Sequence, residues 1–320
     1  MILDVRHLRV EFPTRRGTLV AVDDVSFAIA PGEVLGVVGE SGAGKSITGL
    51  ALIGLLEPPG RIAGGEVRLE GGRIDALPQE ALRRIRGRRI GMVFQDPLTS
   101  LNPLYTVGAQ LEETISTHLA LTQKICREKA LDLLREVGIP GAEQRYHHYP
   151  HQFSGGMRQR VVIALALAAD PVLLIADEPT TALDVSIQAQ IIGLLKRLTA
   201  ERGAAVMLIT HDMGVIAETA HRVAVMYAGR IVEIGPVREV IHSPQHPYTA
   251  GLMGSIPKIS LSDKTRLVQI DGSMPRLNAI PAGCAFNPRC PKRFARCAAE
   301  RPDLMRAGTS DAACWLHAVT

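Results

Sequence analysis

No apolar run in this 320-residue chain is long enough to cross a bilayer: the longest, around Ile47 to Leu56 and Val161 to Ala169, fall well short of the roughly 20 residues a spanning helix needs. The chain is therefore expected to be soluble, or to meet a membrane only through a partner. The start, Met1-Ile2-Leu3-Asp4-Val5-Arg6, lacks the charged, apolar and small-residue segments of a secretory signal, so a cytosolic location is expected. Excess charge is also small, with 36 Lys and Arg against 32 Asp and Glu for a net +4, and a nucleic-acid partner is not demanded. The one dense basic run, Arg83, Arg84, Arg86, Arg88 and Arg89, reads as solvated surface, with phosphate contact as the alternative. Internal repeats and low-complexity tracts are missing. Five cysteines are few, but 46% hydrophobic composition can bury a core without disulfide staples.

What is present reads as α/β. Alternating runs between Leu8 and Ile29 predict strands of a partly exposed antiparallel sheet, closed by Pro31-Gly32. Glu33 to Val38 predicts a short buried strand, followed by a glycine loop and a helix over Ser46 to Leu56. Val172 to Ala176 and Ala205 to Ile209 read as buried strands separated by a helix over Ser186 to Arg202, the alternation of a parallel sheet. Val107 to Val137, with the stretch up to Leu167, reads as a helical insertion. After Pro244 the composition shifts toward Pro and Cys, and the tail reads as a smaller irregular appendage.

Gly39-Glu40-Ser41-Gly42-Ala43-Gly44-Lys45-Ser46 fits the Walker A pattern between a strand and a helix. Glycines let backbone amides close around phosphates, Lys45 reaches the β and γ phosphates, and the Ser46 hydroxyl ligates Mg²⁺. Val172 to Glu178 supplies a Walker B strand, whose Asp177 holds the Mg²⁺ shell and whose Glu178 is placed to take a proton from the attacking water. Phe153-Ser154-Gly155-Gly156-Met157 opens a helix just before that strand, and Ser154 with the amides near Gly155 and Gly156 forms a second anion site.

In this order the motifs resemble the ABC ATPase family, whose signature runs Leu-Ser-Gly-Gly-Gln; Phe153 and Met157 depart from it. The resemblance implies a P-loop NTPase nucleotide-binding domain over 1–243, with a parallel-sheet core, an antiparallel β subdomain and a helical subdomain at about 96–168. It implies that Gln95 in Val93-Phe94-Gln95-Asp96-Pro97 touches Mg²⁺ or the water, that Asp184 lies in the loop meeting a partner subunit, and that His211 holds the γ-phosphate. Phe12 stands where the family stacks a ring on adenine, with packing against the sheet as the alternative. One cassette and no sustained heptads do not fit the family's ribosomal or DNA-acting members. A regulator that had lost catalysis would have lost Lys45 or Glu178, and both are kept.

Phe94 to Pro103, Tyr149 to Met157 and Pro244 to Thr249 resemble the ATPases of bacterial dipeptide and oligopeptide importers. That resemblance implies a head-to-tail heterodimer with an F-type ATPase under two permeases, fed by an extracytoplasmic binding protein, at the cytoplasmic face of the inner membrane. Cys284, Cys290, Cys297 and Cys314 cluster in the tail, whereas Cys126 reads as a small buried hydrophobe. In a cytosolic protein this pattern leaves metal ligation or four unrelated thiols, and the spacing names no metal. Pro281 to Pro291 resembles the tail of the D-type importer ATPases, which implies a 244–320 region holding a [4Fe-4S] cluster, with Zn²⁺ as the alternative.

Overall fold

A computed structural model describes residues 1–181, 183–255 and 269–318; Ala182 beside Asp184, and residues 256–268 of the expected tail region, lie outside the described residues. The chain forms two compact units. The first comprises Met1–Leu3, Ile29–Glu33 and Arg68–Ile209; the second comprises Asp4–Ala28, Val34–Val67 and Thr210–Thr320.

In the first unit the strands Ile90–Val93, Leu173–Asp177 and Ala205–Ile209 run parallel, with Val93 opposite Ala176 and Asp177 opposite Ile209. Every residue of the latter two is buried, which is why they read as unbroken apolar runs rather than as alternation. Gly91 lets the helix Gly155–Leu167 come close, because a Cβ there would stand 2.2 Å from the Ala166 carbonyl oxygen. The helical insertion contains Val107–His118 and Gln123–Glu136, which bury Leu111, Ile115, Leu133 and Leu134. Cys126 is buried among them. The basic run is not one solvated patch: Arg83 and Arg84 are exposed, but Arg88 donates to the Ala169 carbonyl at 2.7 Å and Arg89 pairs with Glu70.

In the second unit Val34–Val38 lies parallel to Arg222–Tyr227, which pairs antiparallel with Arg230–Pro236. The tail is less irregular than its composition predicts, since Ser310–Ala312 pairs antiparallel with Arg230–Pro236 and with Met305–Ala307. Nor is it an appendage: it belongs to the compact unit that carries Gly39 to Ser46. The strands Gly17–Ile29, Leu3–Thr14 and Arg61–Leu69 lie side by side in that order.

The helix after the glycine loop spans Lys45–Leu52, shorter than the predicted Ser46 to Leu56. Gly54 adopts φ 64°, and the amides of Gly54 and Leu55 turn back to the carbonyls of Ala51 and Leu50 at 3.1 and 2.9 Å. This left-handed glycine cap satisfies the last carbonyls and stops the helix although apolar residues continue.

Candidate functional site

The glycine loop follows the buried strand Val34–Val38 directly. Gly39 has φ 150°, and a Cβ there would lie 2.3 Å from the Met226 carbonyl oxygen, so only glycine passes this point. Lys45 is buried, and its ammonium donates to the carbonyls of Gly39 at 2.8 Å and Glu40 at 3.1 Å. The cation is thus held across its own loop, with Ser46 next to it at the helix N-terminus and Ser41 and Gly42 exposed. Gly44, at φ 101°, occupies the cap position. Amides and a fixed ammonium converging at a helix start are what a polyphosphate requires.

His211 belongs to this same unit. The preceding residue, Thr210, donates its N–H to the Val37 carbonyl at 3.1 Å, and the following Asp212 caps the helix Met213–Thr219 through bonds of 2.8 and 3.2 Å. The backbone carrying the exposed His211 is therefore fixed on both sides beside the strand that feeds the glycine loop. Phe12 is half-buried, with its ring against Gly60, where a Cβ would meet it at 2.6 Å.

The first unit carries the carboxylates. Asp177, 6% exposed, ends the strand Leu173–Asp177, and Glu178 follows in a left-handed conformation at φ 45°. A non-glycine residue held there is under strain, and here the N–H of Glu178 is fixed to the Ile209 carbonyl at 2.8 Å. The Glu178 carboxylate accepts from Gln95 Nε2 at 3.0 Å and from Thr181 Oγ1 at 2.8 Å. The pairing of Val93 with Ala176 brings Gln95 level with Glu178, so the sheet register makes this contact. Thr181 was not singled out from the sequence, although a hydroxyl three residues past a carboxylate on a turn was a readable signal.

Ser154 caps Gly155–Leu167, its hydroxyl accepting from the Met157 amide at 3.4 Å, and with Gly155 it is exposed. Phe153 is only 3% exposed and meets His148 edge-on at 6.3 Å, so the departure from leucine retains an apolar anchor. Gly156 faces Ile187, and a Cβ would come within 2.6 Å of that side chain. Asp184 stands at the N-cap of Val185–Arg202 without capping it through its side chain, and both it and Val185 are exposed.

In the tail, Cys284, Cys290, Cys297 and Cys314 all line one small cavity with Phe286 and Trp315. The backbone N–H groups of Phe286, Lys292 and Leu316, each two residues further along, favour the charged forms of Cys284, Cys290 and Cys314. Burial pushes all three of these thiols up, Cys284 to about 11, so without a ligand they hold their protons. Among the described residues no three His, Cys, Asp or Glu side chains are grouped to hold one metal ion. Sequence reading missed two tail residues at the glycine loop, Tyr248 and Arg289, which bond the backbone and carboxylate of Glu40. A separate cavity of about 870 Å³ has its charges paired internally, with Asp23 accepting from Arg9, Arg230 and Arg301.

Comparison with known proteins places these groups in a family. Residues 22–181 match the ABC transporter family model, and residues 232–297 match that of the oligopeptide/dipeptide transporter C-terminal region. The dipeptide transport ATP-binding protein DppD of Bacillus subtilis is 47% identical, covering 99% of this chain and 95% of its own length. Its Escherichia coli namesake is also 47% identical, over 95% of this chain and 92% of its own. Among solved structures, a dimeric ATP-binding cassette in a post-hydrolysis state with ADP and Pi matches with a TM-score of 0.66 at 32% identity, covering 74% of this chain and 99% of its own.

Proposed function

The chain belongs to the ABC transporter family, and on that premise we propose that it is the ATP-hydrolysing subunit of an importer of dipeptides or oligopeptides, paired head-to-tail with an F-type ATPase under two permeases. The match of its tail to the oligopeptide/dipeptide transporter region and the names of its relatives support the substrate class. No helix among the described residues is long and apolar enough to cross a membrane, which fits a peripheral subunit at the cytoplasmic face of the inner membrane.

The observation that carries the hydrolytic reading is the Glu178 carboxylate, fixed by Gln95 and Thr181 on a strained backbone one residue past buried Asp177. In this reading Lys45 and the loop from Gly39 through Ser41, Gly42 and Gly44 would bind the phosphates of ATP, Ser46, Gln95 and Asp177 would be ligands of the Mg²⁺ shell, Glu178 would take the proton of the attacking water, and His211 would hold the γ-phosphate. Phe12 supplies the face for adenine. Exposed Ser154, Gly155 and Asp184 serve the composite site of the opposite subunit.

We further propose that the four tail thiols, which line one cavity, hold a [4Fe-4S] cluster, with Zn²⁺ as the alternative. Backbone N–H groups two residues beyond Cys284, Cys290 and Cys314 favour their thiolate forms, and hydrogen bonds to sulfur are a feature of iron–sulfur ligation. A bound cluster supplies a cross-link between the stretch from Cys284 to Cys297 and Cys314.

ATPase assays of the isolated chain and of the complete transporter test the reading. The isolated chain is expected to turn over slowly, with a rate that climbs on addition of the partner ATPase and permeases. High activity independent of both protein concentration and partners would mark a self-sufficient enzyme instead.

A further inference from the structure

We propose that Arg289 is a positioning residue for the phosphate loop: reaching in from the tail, its guanidinium neutralises Glu40 and fixes the carbonyls that hold Lys45. The inference rests on the reading of Gly39 to Ser46 as the ATP site. Glu40 is a carboxylate inside a loop built for anions, where an unpaired negative charge repels phosphate.

Arg289 ends the 3-10 turn Asn287–Arg289 between Cys284 and Cys290, and its side chain is 8% exposed. Its Nη1 lies 3.1 Å from both carboxylate oxygens of Glu40 and 3.4 Å from the Tyr227 hydroxyl. The remaining donors are spent on the carbonyls of Asp271 at 2.8 Å and of Ile270 and Gly272 at 3.4 Å. The guanidinium also stands over the rings of Tyr227 and Phe286 at 5.8 and 5.9 Å. A planar, fully occupied cation of this kind holds one geometry.

Glu40 is gripped at two further points. Its N–H donates to the hydroxyl of Tyr248 at 2.9 Å, and its carbonyl accepts from Lys45 Nζ at 3.1 Å. Tyr248 is fully buried and packs edge-on against Tyr227 at 4.7 Å, with Phe286 at 5.4 Å. The clamp therefore runs from tail to aromatic cluster to Glu40 to the ammonium that meets the nucleotide. Both tail residues lie outside residues 22–181, which match the ABC transporter model, and within residues 232–297, which match the oligopeptide/dipeptide transporter C-terminal region.

Titration of Mg-ATP into the purified full-length chain tests this, with catalysis left out of the readout. Arg289→Gln is expected to raise the Kd about tenfold, as the uncompensated carboxylate faces the phosphates. Adding Glu40→Gln to that variant removes the stranded charge and should recover most of the affinity, which a role in packing alone would not allow. Arg289→Lys keeps the charge but loses the planar fork, so its Kd should rise by less than that of Arg289→Gln; it also stands in should Arg289→Gln fail to fold. Wild-type affinity in Arg289→Gln, an unrescued double variant, or a loss in Arg289→Lys as large as in Arg289→Gln would overturn the inference. A wild-type chain that does not bind Mg-ATP would instead defeat the reading of the loop itself.

Discussion

Glu178→Gln should leave ATP binding near wild type and lower hydrolysis at its own site by about 100-fold or more, the range expected when a general base is removed. The amide keeps the shape of the carboxylate, and its oxygen can still accept from Gln95 Nε2 and Thr181 Oγ1. The strained backbone at φ 45° and the bond from its N–H to Ile209 do not depend on the side chain. What disappears is the proton acceptor. Phosphate release by the assembled transporter, with the partner's own site inactivated, is the measurement. Near wild-type turnover at the remaining site would remove Glu178 from the role of base. Gln95→Ala should act more weakly, because Thr181 still orients the carboxylate.

Cys290→Ser or Cys297→Ser should abolish cluster retention. Anaerobically purified wild-type chain is expected to be brown and to contain about four iron atoms, a content the variants lose together with the visible absorption. One zinc and no colour would favour the alternative ligand, and neither metal in carefully anaerobic material would defeat both. Limited proteolysis should then cut the variants after Pro281, since the described residues beyond it form only short helical turns and three-residue strands to hold the segment without the cross-link. A tail read as a separate appendage would leave ATP binding intact. The structure changes that expectation: Arg289 adjoins Cys290 and clamps Glu40, so the same variants should also bind Mg-ATP more weakly. Because burial raises the thiols and metal binding displaces their protons, metal retention should weaken as pH falls.

Much of this protein was legible in its residues alone, because the relevant physics is local. A phosphate loop needs its glycines, lysine and serine within eight consecutive positions, and Gly39 to Ser46 states them all. Buried parallel strands need unbroken apolar runs, and Leu173 to Ala176 and Ala205 to Ile209 are that. The exposed helix start at Ser154 was legible in the same way, from a capping hydroxyl followed by two glycines.

Tertiary structure decided the contacts between residues far apart in the chain. Gln95 reaches Glu178 across 83 positions only because of the register between two parallel strands, and register is not written in either strand by itself. Tyr248 and Arg289 meet Glu40 across 208 and 249 positions, a closure that no local pattern encodes. The irregular spacing of four cysteines likewise names no metal, and only the fold brings all four to the lining of one cavity. Local periodicity reports which face of an element is buried, whereas the partner of a buried charge depends on how distant segments pack, and that is where the role of Arg289 arose.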